Sequence, residues 1–413
     1  MKSRKRMLFV APRCLVPADS GGKIRTVQVL RGLKGGAFDI TLVSPAPANA
    51  DAKDASELQE LCDRFASWPK GERTRSLALS RVHHLFSQLP VSVASDMSPA
   101  GRSLIASELA RKPDLVVIDF PHTAILAPDF GNAASVLFTH NVEAEIFSRQ
   151  IKLARDPLRR AIWRDQWQKM QRFERETLCR FDAVIAVSER DGTYFRQEFG
   201  IEARVIPTGV DLDRFAYEAP AGATPSNPKI VFTASMDYHA NIDGMRWFMD
   251  TCWPLISAAL PKATLTVVGR NPPPGLVNAA QKRGLLWTFT GFVDDVRPHI
   301  HDALIYIIPL RVGGGTRIKA FEAMALGRPV VSTSIGMEGL SVEPEKHFLL
   351  ADTPQLFAEA VLRLARDPLL RNRIAGAARD LVETRFSAQA VAHAFEQICL
   401  DTLASGTRLM QRA

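Results

Sequence analysis

A short stretch in the second half of this 413-residue chain combines a run of glycines with two cations and an acid. The glycines and the threonine that follows them are Gly313, Gly314, Gly315 and Thr316. Glycine lets a ligand approach the bare main chain, and the start of a helix attracts anions. Arg317 and Lys319 fall in the first turn of a predicted helix, where positive charge is unfavourable without an anion, and Glu322 follows one turn later. These residues indicate a diphosphate site whose acid accepts hydrogen bonds from a ribose; the alternative, equally weighted from the glycines alone, is a tight turn with solvated cations.

The flanking segments predict how this stretch is positioned. Ile305–Pro309 has the apolar, β-branched composition of a buried strand. Arg317–Leu326 carries helix formers between the N-cap residue Thr316 and the C-terminal Gly327, and Pro329–Thr333 starts another strand. Strand, glycine loop, helix and strand form a βαβ crossover, the unit of a parallel sheet.

A second glycine turn follows the first predicted strand, Arg6–Pro12, and precedes a helix at Ile24–Leu33 and a strand at Ile40–Val43. The turn residues are Gly21, Gly22 and Lys23. Ligands of doubly wound sheets lie at the carboxyl ends of strands, so this turn is predicted to bind a ligand. The alternative is a simple turn in which Ser20 caps the helix.

A histidine occupies the same kind of position after a later strand. His140 directly follows the predicted strand Val136–Thr139. A lone histidine is usually structural, but the strand-end position favours ligand contact or proton transfer near neutral pH. Glu143 is a weaker candidate that otherwise caps the next helix.

Strands and helices alternate along the chain, which predicts an α/β fold made of two doubly wound halves. Further strands are predicted at 115–119, 183–187, 204–207, 229–233, 264–268, 288–290 and 348–351, and further helices at 54–65, 76–89 and 386–403. The segment 218–228 is rich in Pro, Ala and Gly and reads as a linker. The expected domains are therefore 1–217 and 229–385, followed by a C-terminal helix and tail at 386–413.

Composition limits the class of protein. Hydrophobic residues make up 46% of the chain and charged residues 23%, as in ordinary globular domains. Apolar runs are too short to span a membrane, and the basic start shows no signal-peptide pattern. The five cysteines are scattered, which favours a reducing cytoplasm. The net charge of +8 suits phosphorylated substrates or anionic membranes, and the absence of a nucleic-acid motif argues against nucleic acid as a partner.

One long basic helix is predicted from Pro157 to Arg180, with Asp156 as its N-cap residue. Its apolar stripe consists of Leu158, Ile162, Trp163, Trp167, Met170 and Phe173. A basic helix with tryptophans can lie on an anionic membrane surface, which would place the protein peripherally at the inner face. The favoured alternative is a domain helix with a solvated face, because acids dilute the basic side.

The stretch PLRVGGGTRIKAFEAMALGRPVVST resembles the C-terminal-domain signature of retaining GT-B glycosyltransferases of family 4. Gly291–Val296 and Pro261–Gly269 resemble the segments that precede it, and the resemblance is strong from 230 to 340. It implies two Rossmann-like domains facing a cleft, with a terminal helix crossing back to the first domain. It also implies transfer of a sugar from a nucleotide diphosphate sugar to a glycan, lipid-linked or small-molecule acceptor, in envelope or exopolysaccharide synthesis. Neither a metal nor another cofactor is expected.

The resemblance also implies roles for individual residues. The donor diphosphate is expected between 313–316 and 21–23, and the nucleotide base against backbone atoms at Val293. His140 is expected near the reacting sugar, Glu322 at the ribose, and Arg317 and Lys319 at the departing diphosphate.

The chain departs from the family pattern in two places. The family has two glutamates eight positions apart, and Gly314 replaces the first of them. The loop after the second domain's first strand lacks its usual cations, with Ser235 and Asn241 in their place. We expect the cations at 317 and 319 to supply that charge, because charge-assisted contacts to phosphate are strong.

Three other functions and one metal site are alternatives to a transferase without a metal. A non-catalytic GT-B scaffold gains support from the missing glutamate, and a GT-B epimerase would need acids placed for proton abstraction. A phosphorylase would need a pyridoxal phosphate lysine, for which no site is recognised. Asp211-Leu212-Asp213 is formally a metal-binding D-x-D, but its place at the domain crossover favours turn capping. A transferase without a metal site is therefore the preferred hypothesis.

Overall fold

The computed structural model describes residues 4–18, 20–46, 52–69, 87–153, 156–219, 226–312 and 317–410. The chain divides into two compact units, one made of Met1–Pro207 with Val391–Ala413 and the other of Thr208–Ala390. The glycine run at 313–316 and most of the helix predicted at 76–89 lie outside the described residues, so both stay predictions.

The first unit is built on a seven-stranded sheet. Its strands are β1 Lys5–Val10, β2 Phe38–Pro45, β3 Arg64–Trp68, β4 Leu115–Asp119, β5 Ala134–Phe138, β6 Ala183–Ala186 and β7 Arg204–Val205. Their order is β3-β2-β1-β4-β5-β6-β7, and neighbouring strands run parallel. All five residues of β4 are buried, as expected for a parallel strand covered on both faces. The order reverses between β1 and β4, where such sheets place ligands.

Helices cover both faces of this sheet. They span Gly21–Leu33, Ala52–Leu61, Val91–Ser95, Pro99–Leu109, Glu143–Leu153, Pro157–Leu178 and Glu189–Tyr194, with shorter helical turns at Pro121–Leu126 and Phe195–Phe199. Two apolar clusters, one for each face, form the core. The α/β class predicted from the alternation of strands and helices is confirmed.

The helix predicted at 54–65 overlaps the start of strand β3. The helix ends at Leu61, and the carboxylate of Asp63 accepts a hydrogen bond from the backbone N–H of Ile40 at 2.8 Å. This contact fixes the start of β3 beside β2, with which it pairs in parallel. The helix prediction was wrong beyond Leu61, because pairing with a distant strand overrides the local helical pattern.

The second unit contains a six-stranded sheet. Its strands are β8 Lys229–Thr233, β9 Thr264–Val268, β10 Trp287–Phe289, β11 Ile305–Ile308, β12 Val330–Ser332 and β13 Leu349–Leu350. The order is β10-β9-β8-β11-β12-β13, again with parallel neighbours. The predicted βαβ crossover is confirmed as β11, the helix Ile318–Ala325 and β12. Gly327 follows this helix with a φ of +73°, the left-handed geometry of a helix C-terminus.

The other helices of this unit complete the second doubly wound half. They span His239–Trp247, Phe248–Cys252, Trp253–Ala259, Pro274–Lys282, Arg297–His301, Ile335–Met337, Pro354–Arg366 and Pro368–Arg385. The division between the units falls after Pro207 rather than at 217, because Val210 and Phe215 belong to the core of the second unit.

The terminal helix, Ala388–Met410, begins in the second unit and continues in the first. Its residues Val391, Phe395 and Cys399 are buried in the core of the first unit. The packing is close, since a Cβ on Gly32 would lie 2.3 Å from the Cβ of Ala392. The predicted return of this helix to the first half is confirmed.

The long basic helix spans Pro157–Leu178, and Asp156 caps it by accepting a hydrogen bond from the Leu158 N–H at 2.9 Å. Its predicted apolar stripe is buried only in part. Met170 is fully buried, whereas Leu158 is 68% exposed and Ile162 is 38% exposed. Among the described helices, this one included, none has the length and apolar character needed to span a membrane.

Candidate functional site

Polar loops of the second unit follow β8, β9 and β11, which are neighbours in the sheet. Ser235 and Asn241 follow β8, Arg270 follows β9, and Lys319 and Glu322 lie in the helix after β11. The strand order reverses between β8 and β11, so the carboxyl ends of these strands are the expected ligand position. The donor-binding residues predicted in this unit, where the structure describes them, lie in loops or helices that follow strands of this sheet.

Arg270 was not predicted as a site residue, yet it belongs to the network around Ser235. Its Nε donates to Ser235 Oγ at 2.8 Å and lies 3.3 Å from the carboxylate of Asp237. Ser235 Oγ donates to Asp237 at 2.6 Å, and Asn271 Nδ2 donates to the same carboxylate at 3.2 Å. Ser235 stands where the resembling family has a cation, and Arg270 restores positive charge beside it. Its place after Gly269, at a strand end, was the available signal.

Lys319 places its ammonium group in the interior of the second unit. Its Nζ approaches Asn241 Oδ1 at 3.4 Å and lies 4.6 Å from the ring centroid of the buried Phe232. Burial, together with the nearby charge of Arg317, lowers the pKa of Lys319 to about 7, and Glu322 opposes the change. Near neutral pH the amine is therefore close to half protonated, and a bound anion would favour its charged form.

Glu322 is a half-buried acid next to cationic side chains. Burial raises the pKa of Glu322, while Arg214 and Lys319 limit this rise. The neighbouring Tyr306 is fully buried and shares a 2.5 Å hydrogen bond with Thr233. Burial raises the pKa of Tyr306 too, so it remains a neutral phenol. The two cations favour a Glu322 carboxylate that can accept hydrogen bonds from hydroxyl groups.

Arg317 is the N-cap residue of the helix that begins at Ile318, not a residue of its first turn as predicted. The helix starts one residue later than expected, since Arg317 has the non-helical ψ of 56°. Its side chain is buried and donates from Nε and Nη2 to the Ile335 carbonyl at 3.3 and 3.2 Å. Lys319 keeps its predicted place in the first turn. Thr316, the predicted N-cap residue, lies outside the described residues.

The loop after β10 has a fixed turn and an exposed ring. Gly291 has a φ of +71° and accepts a hydrogen bond from the Gly269 N–H at 3.1 Å. Phe292 is 72% exposed, and Val293 packs against the core. An exposed aromatic ring beside a fixed backbone turn suits a planar base, so Val293 stays a predicted donor contact.

His140 lies in the interior of the first unit, where both of its ring nitrogens have partners. Nδ1 is 2.9 Å from Arg25 Nη1, and Nε2 is 2.5 Å from Asp119 Oδ1. A guanidinium can only donate, so Nδ1 accepts and Nε2–H donates to the carboxylate. Burial lowers the pKa of His140, against the opposing charge of Asp119. The ring centroid also lies 4.0 Å from that of the stacked Phe120, and the contact of His140 with a sugar stays a prediction.

The three residues predicted to form a glycine turn instead form the first turn of the helix Gly21–Leu33, which is a correction to the prediction. Ser20 has the extended N-cap conformation, and its side chain makes no capping hydrogen bond. Gly22 is required by packing, because a Cβ there would lie 2.7 Å from Phe120. Lys23 Nζ donates to the Pro17 carbonyl at 3.1 Å. Helix formation from Gly21 onward places backbone N–H groups, rather than a loop, at the carboxyl end of β1.

A cavity of about 220 Å³ opens at the carboxyl ends of β1 and β4 in the first unit. Its ionisable lining consists of Arg13, Lys23, Asp96, Asp119, His122 and Glu143. Of these, only Lys23 and Glu143 were predicted as candidate site residues from the sequence. His122 lies three residues after a predicted strand end, which was the signal for it. The cavity is where the reversed strand order of this sheet would place a ligand.

No metal site is found in the described part of the chain, where no three acidic, histidine or cysteine side chains cluster suitably for a metal ion. The D-x-D sequence has the capping role predicted for it. Asp211 Oδ1 accepts hydrogen bonds from the backbone N–H groups of Asp213 and Arg214 at 3.1 and 3.0 Å.

Two family models match this chain. One, described as Glycosyltransferase Family 4, matches residues 20–214, and the other, described as Glycosyl transferases group 1, matches residues 227–367. The two matches are consecutive and each falls largely within one of the two structural units.

Curated relatives and solved structures are similar over long stretches. A Klebsiella pneumoniae protein described as an uncharacterized 44.6 kDa protein in the cps region is 20% identical over 94% of this chain and 97% of its own length. The phosphatidyl-myo-inositol mannosyltransferase of Mycobacterium tuberculosis is 26% identical over 54% of this chain and 61% of its own length. HepE of Anabaena, solved with UDP and glucose, superposes with a TM-score of 0.66 at 17% identity, covering 97% of this chain and 100% of that one.

Proposed function

Because this chain belongs to the GT-B glycosyltransferases, we propose that it transfers a sugar from a nucleoside diphosphate sugar to a hydroxyl-bearing acceptor, with retention of the anomeric configuration. The observation that carries the proposal is that Arg270, from the loop after β9, and Lys319 and Glu322, from the helix after β11, lie at the same end of the second sheet. HepE, which was solved with UDP and glucose, supports a nucleotide donor by its similar fold.

Each of these side chains has a distinct role in the proposed reaction. Glu322 accepts hydrogen bonds from ribose hydroxyl groups of the donor. Arg270 and Lys319 bind phosphate oxygens, and Lys319 gains its full charge as negative charge grows on the departing diphosphate. Arg317, buried at the start of the helix, adds positive potential at the same place. These cations take the electrostatic role that a metal ion has in other transferases, so we expect transfer without a divalent metal.

The acceptor and the pathway are also proposals. One relative is encoded in a cps region and another is named a phosphatidyl-myo-inositol mannosyltransferase. We propose that the acceptor is a glycan or a lipid-linked molecule and that the product enters polysaccharide synthesis. A cytoplasmic location fits this role, since nucleotide sugars are the donors.

Nucleotide binding tests the donor site. Thermal unfolding with UDP, GDP, ADP, TDP and CMP, each with and without EDTA, is expected to show one diphosphate that raises the melting temperature regardless of EDTA. A ligand at 100 times its Kd adds about 2.7 kcal/mol of stability. Arg270→Gln and Glu322→Gln are each expected to weaken the binding of that nucleotide at least about tenfold, because each variant loses a charged hydrogen bond. Arg283→Gln, which removes an exposed arginine paired with Asp250, is the matched control. The proposal fails if no nucleotide changes the melting temperature.

A non-catalytic scaffold is the second candidate, because Gly314 replaces an acid of the family pattern. The transferase and the scaffold are distinguished by slow hydrolysis of the matching nucleotide sugar, which is measured as release of the diphosphate. Turnover supports the transferase, and tight binding without any turnover supports the scaffold.

Membrane contact is proposed at the start of the helix Pro157–Leu178. Leu158 and Ile162 are exposed one turn apart, and the three exposed arginines beside them are Arg159, Arg160 and Arg164. We expect co-sedimentation with vesicles of phosphatidylcholine and phosphatidylglycerol, and much less with phosphatidylcholine alone, because basic amphipathic helices bind anionic surfaces.

The variant Leu158→Gln/Ile162→Gln is expected to reduce vesicle binding at least about fivefold. Leu369→Gln, at a leucine that is 82% exposed on another helix, should have no effect. Equal sedimentation with both vesicle types would argue against this surface.

A further inference from the structure

The cavity of the first unit contains a buried nitrogen that the proposed donor chemistry leaves unexplained. His122 Nε2 is shielded from solvent, and within the described residues it has no hydrogen-bond partner. A buried polar group without a partner destabilises the folded state, so native proteins rarely keep one without a function.

Glu143 is the nearest acid to this nitrogen. Its Oε2 lies 3.5 Å from His122 Nε2, beyond the 2.7–3.2 Å range of an N–H···O hydrogen bond. Burial lowers the pKa of His122 to about 4, and Arg13 adds to this. Burial also raises the pKa of Glu143 to about 7. The two groups therefore do not form a charged pair near neutral pH, and both keep unused hydrogen-bonding capacity.

A hydroxyl group matches the space between these two atoms. It has one donor and two acceptor positions, so it can donate to Glu143 and accept from the Nε2–H of His122. One water could make the same bridge, but the cavity of about 220 Å³ is far larger than the ~30 Å³ share of a water molecule. It is also smaller than the roughly 300–1,000 Å³ of drug-sized sites, which indicates a single ring.

The charges around the cavity argue against an anion as its ligand. The two cations of the lining, Arg13 and Lys23, face three carboxyl groups. Lys23 Nζ already donates to a backbone carbonyl, so one of its three donor positions is occupied. Phe120 supplies an apolar wall, as saccharide and other small-molecule sites require beside their few polar groups. A neutral, hydroxylated ring fits this combination.

We propose that the cavity binds a neutral hydroxylated ring of the acceptor, a saccharide or a cyclitol, and that Glu143 and His122 together hold one of its hydroxyl groups. The inference rests on the proposed transfer reaction, because it assigns the acceptor of that reaction to this unit. His122 and Glu143 are thereby determinants of acceptor specificity. The carboxylate of Glu143 orients the hydroxyl group from which it accepts a hydrogen bond.

Saturation-transfer NMR of the 413-residue chain tests the proposal with named probes. These are the methyl α-pyranosides of glucose, mannose and galactose for saccharides, and myo-inositol for cyclitols, each at millimolar concentration. We expect a signal from at least one probe with the wild-type protein. Glu143→Gln and His122→Phe are each expected to weaken it at least about tenfold, the effect of losing a hydrogen bond to a charged or desolvated group.

Glu145→Gln is the matched control. Glu145 lies in the same first helical turn as Glu143 but pairs with Arg190 and does not line the cavity. Its probe signal should equal that of the wild-type protein. Melting temperatures of all variants check folding. Glu143→Gln should not lower the melting temperature, since a neutral amide replaces a buried acid.

The nucleotide panel run on the same variants separates this proposal from the proposed function. A nucleotide shift without any ring signal overturns the acceptor cavity and leaves the transferase standing. Ring signals that persist in both cavity variants also overturn it. Ring binding that depends on Glu143 and His122, without any nucleotide shift, supports the cavity and overturns the transferase.

Discussion

Replacing Lys319 with methionine is expected to raise the melting temperature and, at the same time, to reduce sugar transfer by about a hundredfold or more. The first effect follows from the lowered pKa of this lysine, which burial and Arg317 bring to about 7 from 10.5. A shift in this direction means that the folded state binds a proton less well than the unfolded state. Methionine fills similar space and removes that penalty.

The pH dependence of this effect has a definite sign. Between about pH 7 and 10.5 the unfolded lysine is protonated while the folded one is not, so the free energy of unfolding of the wild-type protein rises with pH through this window. The stability advantage of the methionine variant is therefore largest below about pH 7 and disappears towards pH 10.5. Lys229→Met, at an exposed lysine paired with Asp302, should show no such trend.

The loss of activity follows from the same position. Removing one preorganised group that stabilises transition-state charge typically reduces kcat by about 10²–10³. Release of the nucleoside diphosphate from the matching donor measures this loss, and unfolding at several pH values measures the stability gain. A methionine variant that is less stable at pH 6 than the wild-type protein, or equally active, would contradict the role assigned to Lys319.

Gly269→Ala is expected to lower the free energy of unfolding by at least about 3 kcal/mol and to abolish nucleotide binding. Gly269 has a φ of +148°, which residues with a Cβ rarely adopt, and a Cβ there would lie 1.7 Å from the Ala234 carbonyl oxygen. The backbone must therefore move away from the loop after β8. That movement separates Arg270 from Ser235, so stability and the donor site are lost together.

Gly284→Ala is the matched control for this substitution. Gly284 also has a positive φ, +60°, but a Cβ there would meet no atom within 4 Å. Gly284→Ala should lower the free energy of unfolding by only about 1–2 kcal/mol, which is the penalty of a left-handed backbone conformation, and it should leave nucleotide binding intact. Urea unfolding and the nucleotide panel measure both effects. Equal losses in the two variants would show that the close contact with Ala234 is unimportant.

Sequence patterns predicted those parts of the fold that depend on local information. The apolar runs at β4, β8 and β9 gave their strand limits, and helix formers around Lys319 gave the βαβ crossover. Asp211 was recognised as a capping residue because an Asx turn involves only its immediate neighbours. In each case the stabilising contact lies within a few residues of the signal.

The missed features depend on contacts between distant segments. Strand β3 exists because it pairs with β2, and the helix that begins at Gly21 packs closely against Phe120. Arg270 reaches Ser235 only because β9 lies beside β8 in the sheet. Strand order cannot be read from hydrophobic periodicity, so a sequence shows which residues follow strands without showing which of them become neighbours.

The terminal helix has a consequence for synthesis on the ribosome. The first unit needs Val391, Phe395 and Cys399 for its core, although the rest of that unit ends at Pro207. At about 5–20 residues per second, translation supplies these residues roughly ten to forty seconds after Pro207 has been added. The nascent N-terminal half therefore lacks part of the cover on one face of its sheet while the second unit is translated. The half that leaves the ribosome first is the last to complete its core.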